Sequence, residues 1–142
     1  MRKMRVRSGD VVVSVKLGVG ATANAVWAAL PFTSTANRWG MEVYFSSSVK
    51  VPPEREARDV LSVGEVGYWP PGRAICLFFG PTPASRHDEP RAASAVNVFG
   101  RVEGDPSALR FIEDGATVLV EAESPLEAKA AKPGEAQGSP TE

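Results

Sequence analysis

The chain has 142 residues, 43% hydrophobic and 23% charged, with a formal net charge of −1. That length suits one domain with a real core, and the balanced charge supplies no global field to select nucleic acid or an anionic membrane. One cysteine, Cys76, excludes an intrachain disulfide, and with one histidine, His87, no usual zinc ligand set can be assembled.

No apolar run approaches the roughly 20 residues of a membrane span. Residues 1–10 read as a basic arm (Arg2, Lys3, Arg5, Arg7) leading into the first strand, with no signal core behind it. A reducing, cytoplasmic setting follows as the expectation. Val11 to Leu17 alternates, with Val11, Val13, Val15 and Leu17 on one face, and predicts that strand. After a Gly18–Ala21 turn, Thr22 is placed to cap a helix over Ala23–Leu30, whose Val26, Trp27 and Leu30 form the buried stripe. Pro31 ends the helix, and Thr33 to Asn37 reads as a polar loop.

Trp39 to Ser46 predicts a second strand, with Trp39, Met41, Val43 and Phe45 on one face and Gly40, Glu42, Tyr44 and Ser46 on the other. Short strands are expected at Val60–Val63 and Glu65–Trp69. Ala74 to Phe79 is an almost unbroken apolar run, as a strand covered on both sides would be. A proline-rich loop, Gly80–Ala93, leads to a strand at Ala95–Val102, one or two helical turns at Pro106–Ile112 and a last strand at Ala116–Glu121. Many short strands with regular turn signals point to a mainly β barrel or sandwich spanning residues 11–123. Residues 124–142 hold too little apolar surface to offset ordering and read as a disordered tail rich in Ala, Pro, Gly and Glu.

Three segments together resemble one family: Arg38-Trp39-Gly40-Met41-Glu42-Val43-Tyr44-Phe45, Gly64-Glu65-Val66-Gly67-Tyr68-Trp69-Pro70-Pro71-Gly72 and Phe78-Phe79-Gly80-Pro81-Thr82-Pro83-Ala84-Ser85. They resemble the prokaryotic cyclophilin-like domains. Asn97-Val98-Phe99-Gly100-Arg101-Val102 is also similar to a strand of the true cyclophilins. The resemblance implies a closed β-barrel with one or two short helices, a lumen filled with side chains, and any ligand groove on the outer wall. It does not carry the isomerase machinery. The arginine and glutamine segment of cyclophilins is absent, and Val96, three residues before Phe99, stands where they usually have the groove histidine.

Candidate chemistry therefore rests on the outer wall. If Trp39, Met41, Val43 and Phe45 fill the core, Glu42 and Tyr44 face the outer wall. Tyr68, Trp69, Phe79, Trp39 and Tyr44 are candidates to line an apolar groove held by rigid proline turns. Arg38, Thr82 and Arg91 are the polar groups that would orient a ligand, the arginines by bidentate hydrogen bonds to negative groups. The expected site is thus Arg38, Glu42, Tyr44, Phe79, Thr82 and Arg91, binding a peptide or small anionic ligand with no cofactor and no metal. A peptidyl-prolyl isomerase with a non-standard site is the second reading, and a structural or assembly module acting by edge pairing is the third. His87 reads as a surface residue and Cys76 as core packing. Ser85, His87 and Asp88 lie too close in sequence to form a nucleophilic triad. Oligomeric state is left open.

Overall fold

The computed structural model describes residues 2–123. The segment read as a tail, residues 124–142, lies outside the described residues. Strands follow in the order β1 (Lys3–Ser8), β2 (Val11–Leu17), β3 (Phe32–Thr35), β4 (Asn37–Arg38), β5 (Glu42–Ser46), β6 (Arg58–Val60), β7 (Glu65–Trp69), β8 (Ala74–Phe78), β9 (Arg91–Glu103) and β10 (Thr117–Glu123). One α-helix, α1 (Ala21–Ala29), follows β2, and 3-10 turns occupy Pro70–Gly72 and Pro106–Phe111. None of the described helices is long and apolar enough to cross a membrane.

The basic start is not an arm. Its charges alternate with Met4, Val6 and Ser8, so Lys3, Arg5 and Arg7 share one face while Met4 and Val6 are fully buried on the other. This β1 pairs antiparallel with both β2 and β10. Its charges are met across the strands: Arg5 Nε lies 3.0 Å from Glu121 Oε2 and Lys3 Nζ 3.0 Å from Glu103 Oε1.

The sheet runs β3-β10-β1-β2-β9-β7-β8-β5-β4, with β6 added to β9. The expected closed barrel is not formed by strand pairing. The two ends of the sheet, β3 and β4, are successive pieces of one extended segment, broken at Ala36. A segment cannot pair with its own continuation, so the ladder stops there. Side chains span the seam instead: Ser34 Oγ donates to Ser46 O at 2.7 Å, and the Phe32 and Phe45 rings lie 6.2 Å apart. The stretch expected as a polar loop, Thr33 to Asn37, is thus the segment that holds both edges.

The inner face of the curled sheet carries the main core, with Met4, Val6, Val15, Val43, Phe45, Val66, Ile75, Leu77 and Phe99 among its buried members. Helix α1 adds Val26, while Trp27 is half-buried under the Arg2 guanidinium, 5.5 Å from its ring centre. Thr22 does not cap the helix, since the cap position is Gly20 and has no side-chain bond. The hydroxyl is buried and donates to Glu54 Oε2 at 2.5 Å, and it accepts from Asn97 Nδ2 at 3.2 Å. Among the described residues the cis X–Pro bond is Leu30–Pro31.

β8 is buried at all five positions, as its unbroken apolar run predicts. Ile75 and Leu77 point into the main core. Ala74, Cys76 and Phe78 point the other way, into a second cluster with Leu61, Ala92 and Val96. That second cluster is the floor of the site.

Candidate functional site

The site lies on the outer face of β5, β8, β7 and the first half of β9. It is a cavity of about 260 Å³ lined by Trp39, Glu42, Tyr44, Trp69, Cys76, Ala92, Ala93 and Val96. Glu42 and Tyr44 come from β5, as alternation with the buried Val43 and Phe45 requires. Tyr44 pairs opposite Cys76 and Glu42 opposite Phe78, so the carboxyl and the thiol share a face on neighbouring strands.

Trp39 reaches this face by a route that simple alternation conceals. A straight strand through Trp39 would place it with Val43. Instead the chain turns at Gly40, whose φ of 63° lies in the left-handed region. Trp39 N–H donates to Glu42 O at 3.0 Å, continuing the Asn37–Tyr44 and Arg38–Val43 pairs. Opposed residues of a hairpin present side chains on one face, so Trp39 stands with Glu42. Met41, at the turn, is 40% exposed rather than in the core.

The opposite wall depends on a close approach. A Cβ on Gly67 of β7 would sit 2.7 Å from Val96 Cγ2, so only glycine lets β9 lay Val96 on the sheet. Beyond it, Trp69 is held by its indole N–H, which donates to Ser94 Oγ of β9 at 2.7 Å.

Glu42 is 4% exposed, and no hydrogen-bond partner reaches its buried Oε1. Burial disfavours the charged form and raises its pKa from 4.5 to about 7, against a smaller lowering by the Cys76 thiol. Burial also pushes the Cys76 thiol up, and the Glu42 carboxyl beside it adds to that. Cys76 is therefore an unreactive wall, as expected from the sequence, yet it faces the cavity.

Of the six expected site residues, the structure brings Glu42 and Tyr44 together and sends the other four elsewhere. Arg38 donates to Gly40 O, Arg110 O and Ile112 O, and its guanidinium lies 5.2 Å from the centre of the Phe79 ring. Phe79 itself is 6% exposed and belongs to the main core. Thr82 Oγ1 donates to Arg91 O at 2.5 Å and fastens the proline loop to the start of β9. Arg91 is engaged by Asp59 at 3.3 Å and Glu89 at 3.1 Å. Tyr68 is likewise a core residue, with its hydroxyl donating to Val49 O at 2.6 Å. The arginines were assigned to a ligand because their chemistry suits one; the fold spends both on its own loops. Ala92 and Ala93 had no signal in the sequence, because small apolar residues at the start of β9 look like any others; Val96 stood out there only as the residue in place of the cyclophilin groove histidine.

Elsewhere, His87 is exposed, its N–H bonded to Glu89 Oε1 at 2.9 Å, and Ser85 Oγ donates to Glu89 O, so no triad forms. Among the described residues no group of three or more His, Cys, Asp or Glu is placed to hold a metal ion. A wider hollow of about 630 Å³ lies between the β1–β2 turn and Phe111, but its buried hydroxyl, Ser8, is spent on Thr117 O.

A mainly β fold of this topology, with its pocket on the outer wall, is that of a cyclophilin-like domain. The family model described as Cyclophilin-like matches residues 2–121, and the chain belongs to that family. A solved relative is the solution structure of the hypothetical protein AF2241 from Archaeoglobus fulgidus. It is 44% identical, with a TM-score of 0.72, over 84% of this chain and 93% of that one. No curated protein matches.

Proposed function

We propose that the domain is a binding module that takes an apolar group, a peptide side chain or a small molecule of similar size, into the Trp39–Tyr44–Trp69 pocket. The observation that carries this reading is the combination of aromatic and small apolar walls with one buried carboxyl whose Oε1 has no partner. Ligand pockets are mostly apolar with a few placed polar groups, and a buried polar atom without a partner costs free energy that a ligand can recover. The anionic half of the sequence expectation loses its support. The lining holds no Lys, Arg or His, and Arg38 and Arg91 are bonded away from it.

Binding of small amides, proline peptides and aromatic fragments can be followed by the emission of Trp39 and Trp69. A saturable change is expected, abolished in Ala93→Trp, which fills the cavity from its exposed rim. A response that survives Ala93→Trp, or none from any fragment class, would remove the reading.

A proline-directed isomerase is the second reading. One observation favours it: Val96, at the position where cyclophilins usually carry the groove histidine, lines this same pocket. A proline-peptide isomerisation assay decides it. Acceleration lost in Ala93→Trp supports it, and a background rate sinks it.

A further inference from the structure

We infer that the pocket recognises an alkylated ammonium group, held by the rings of Trp39, Tyr44 and Trp69 over the Glu42 carboxylate. This rests on the reading of the pocket as a ligand site and names the class of ligand.

Three observations converge. The first is a missing charge partner. Glu42 is 4% exposed with Oε1 unpartnered, and none of the residues lining the cavity is a cation. The neighbouring carboxylate of the same sheet, Glu65, shows what this wall does when it means to satisfy an acid. There Arg58 donates twice, at 2.9 and 2.6 Å, and Ser62 N–H once, at 2.8 Å.

The second observation concerns the rings. Trp27, Phe79 and Phe111 each carry an arginine of this chain over the ring. Among the described residues, no such cation covers Trp39, Tyr44 or Trp69. One part of Trp69 lies against Gly72, and its N–H is fixed by Ser94, so the indole is held in place. An aromatic face attracts a cation through its quadrupole, most strongly where water is excluded.

The third is the poverty of acceptors. A bare ammonium has three N–H donors to satisfy. Besides the Glu42 carboxyl, the side-chain oxygen on this lining is the Tyr44 hydroxyl; the remaining walls are rings, methyl groups and the Cys76 thiol. Alkyl groups on the nitrogen replace donors that would go unmet and add apolar contact. The titratable groups facing Glu42 are Cys76 from β8 and Tyr44 from β5, and β7 and β9 contribute none to the lining. Binding of a cation therefore couples to ionisation of Glu42, which burial has delayed to about pH 7.

The test uses the full chain with two probes of matched shape, choline and its uncharged isostere 3,3-dimethyl-1-butanol, followed by tryptophan emission and calorimetry. Choline is expected to bind at least tenfold more tightly than the isostere at pH 8. Its affinity should fall about tenfold by pH 6, as a carboxyl titrating near 7 loses its charge. Glu42→Gln should erase the preference for choline while the isostere still binds. Equal affinity for the two probes, or a choline affinity independent of pH, overturns the ammonium inference and leaves the apolar pocket standing. Binding of neither probe overturns it too, and fragment binding blocked by Ala93→Trp then decides the pocket separately. Binding of choline undiminished in Ala93→Trp places the cation elsewhere and also overturns it.

Discussion

Glu42 and Glu65 occupy the same outer wall, on β5 and β7, and are 4% and 8% exposed. Their chemistry is opposite. Glu65 receives the Arg58 fork and the Ser62 N–H, with Arg101 3.9 Å away, and these hold its carboxyl below the usual carboxylate range. Glu42 receives nothing at Oε1, and burial lifts it to about 7. Burial alone therefore does not tell a structural acid from a functional one. The inventory of partners does: a buried acid with its hydrogen bonds filled tethers strands, and one left short marks a place where something else is expected.

The largest effect that would test this contrast is the pH dependence of stability. The Glu42 carboxyl titrates near 7 when folded and near 4.5 when its surroundings are lost. Between those values the folded state holds the extra proton, so stability falls as pH rises through the window and levels off above it. The shift corresponds to about 3 kcal/mol at full ionisation. Chemical denaturation at pH 5 and pH 8 should show this loss, and Glu42→Gln should flatten it. A wild-type profile already flat over that range would mean the carboxyl is solvated.

Gly67→Ala should cost about 2 kcal/mol, because the new methyl meets Val96 and β9 must lift from the sheet. It should also weaken fragment binding, since Val96 is a wall of the pocket. Unchanged melting would show that β9 yields freely at this point.

On the other acid, Arg58→Met should destabilise by about 1–2 kcal/mol at neutral pH. The figure is kept low because the Arg58 side chain is 46% exposed and Glu65 retains Ser62 N–H and Arg101. Glu65 contributes stability above its unfolded pKa that is lost as pH falls through its lowered folded value. That acid-side loss should shrink in the variant, and an unchanged acid limb would show that Arg58 is not what holds Glu65 down.

Arg38→Ala should have the smallest effect, about 1 kcal/mol, through lost bonds to Arg110 O and Ile112 O and the uncovered Phe79 ring. Ligand affinity at the pocket should stay as it was. A variant that melts normally but binds poorly would return Arg38 to the site.

What could be read from the sequence follows the range of the interactions involved. The unbroken apolar run of β8 and the Val43/Phe45 alternation of β5 depend on local pattern, and both are found as expected. The family resemblance is found as well. β1 was legible in principle, since Lys3-Met4-Arg5-Val6-Arg7-Ser8 alternates; its charges concealed a strand whose counter-charges lie about a hundred residues away, at Glu103 and Glu121. The outward placement of Glu42 and Tyr44 followed from the same alternation. Trp39, Tyr44 and Trp69 were legible as candidates to line a groove; how they meet over Glu42 was not, because that depends on the Val96–Gly67 approach and a turn at Gly40, which form only in the folded chain. The misplaced arginines share that cause. A guanidinium suits many acceptors, and which it finds is settled by tertiary position.

The seam of the sheet has a consequence for how the domain comes apart. Since Phe32–Thr35 and Asn37–Arg38 are one segment lying along two edges, neither edge can peel away independently of the other. Amide exchange at Thr33 and Thr35 should then rise and fall together with that at Arg38, as a single opening event. Among the described residues, a second chain is offered only short margins on which to add a strand: four residues of β3, two of β4 and three of β6.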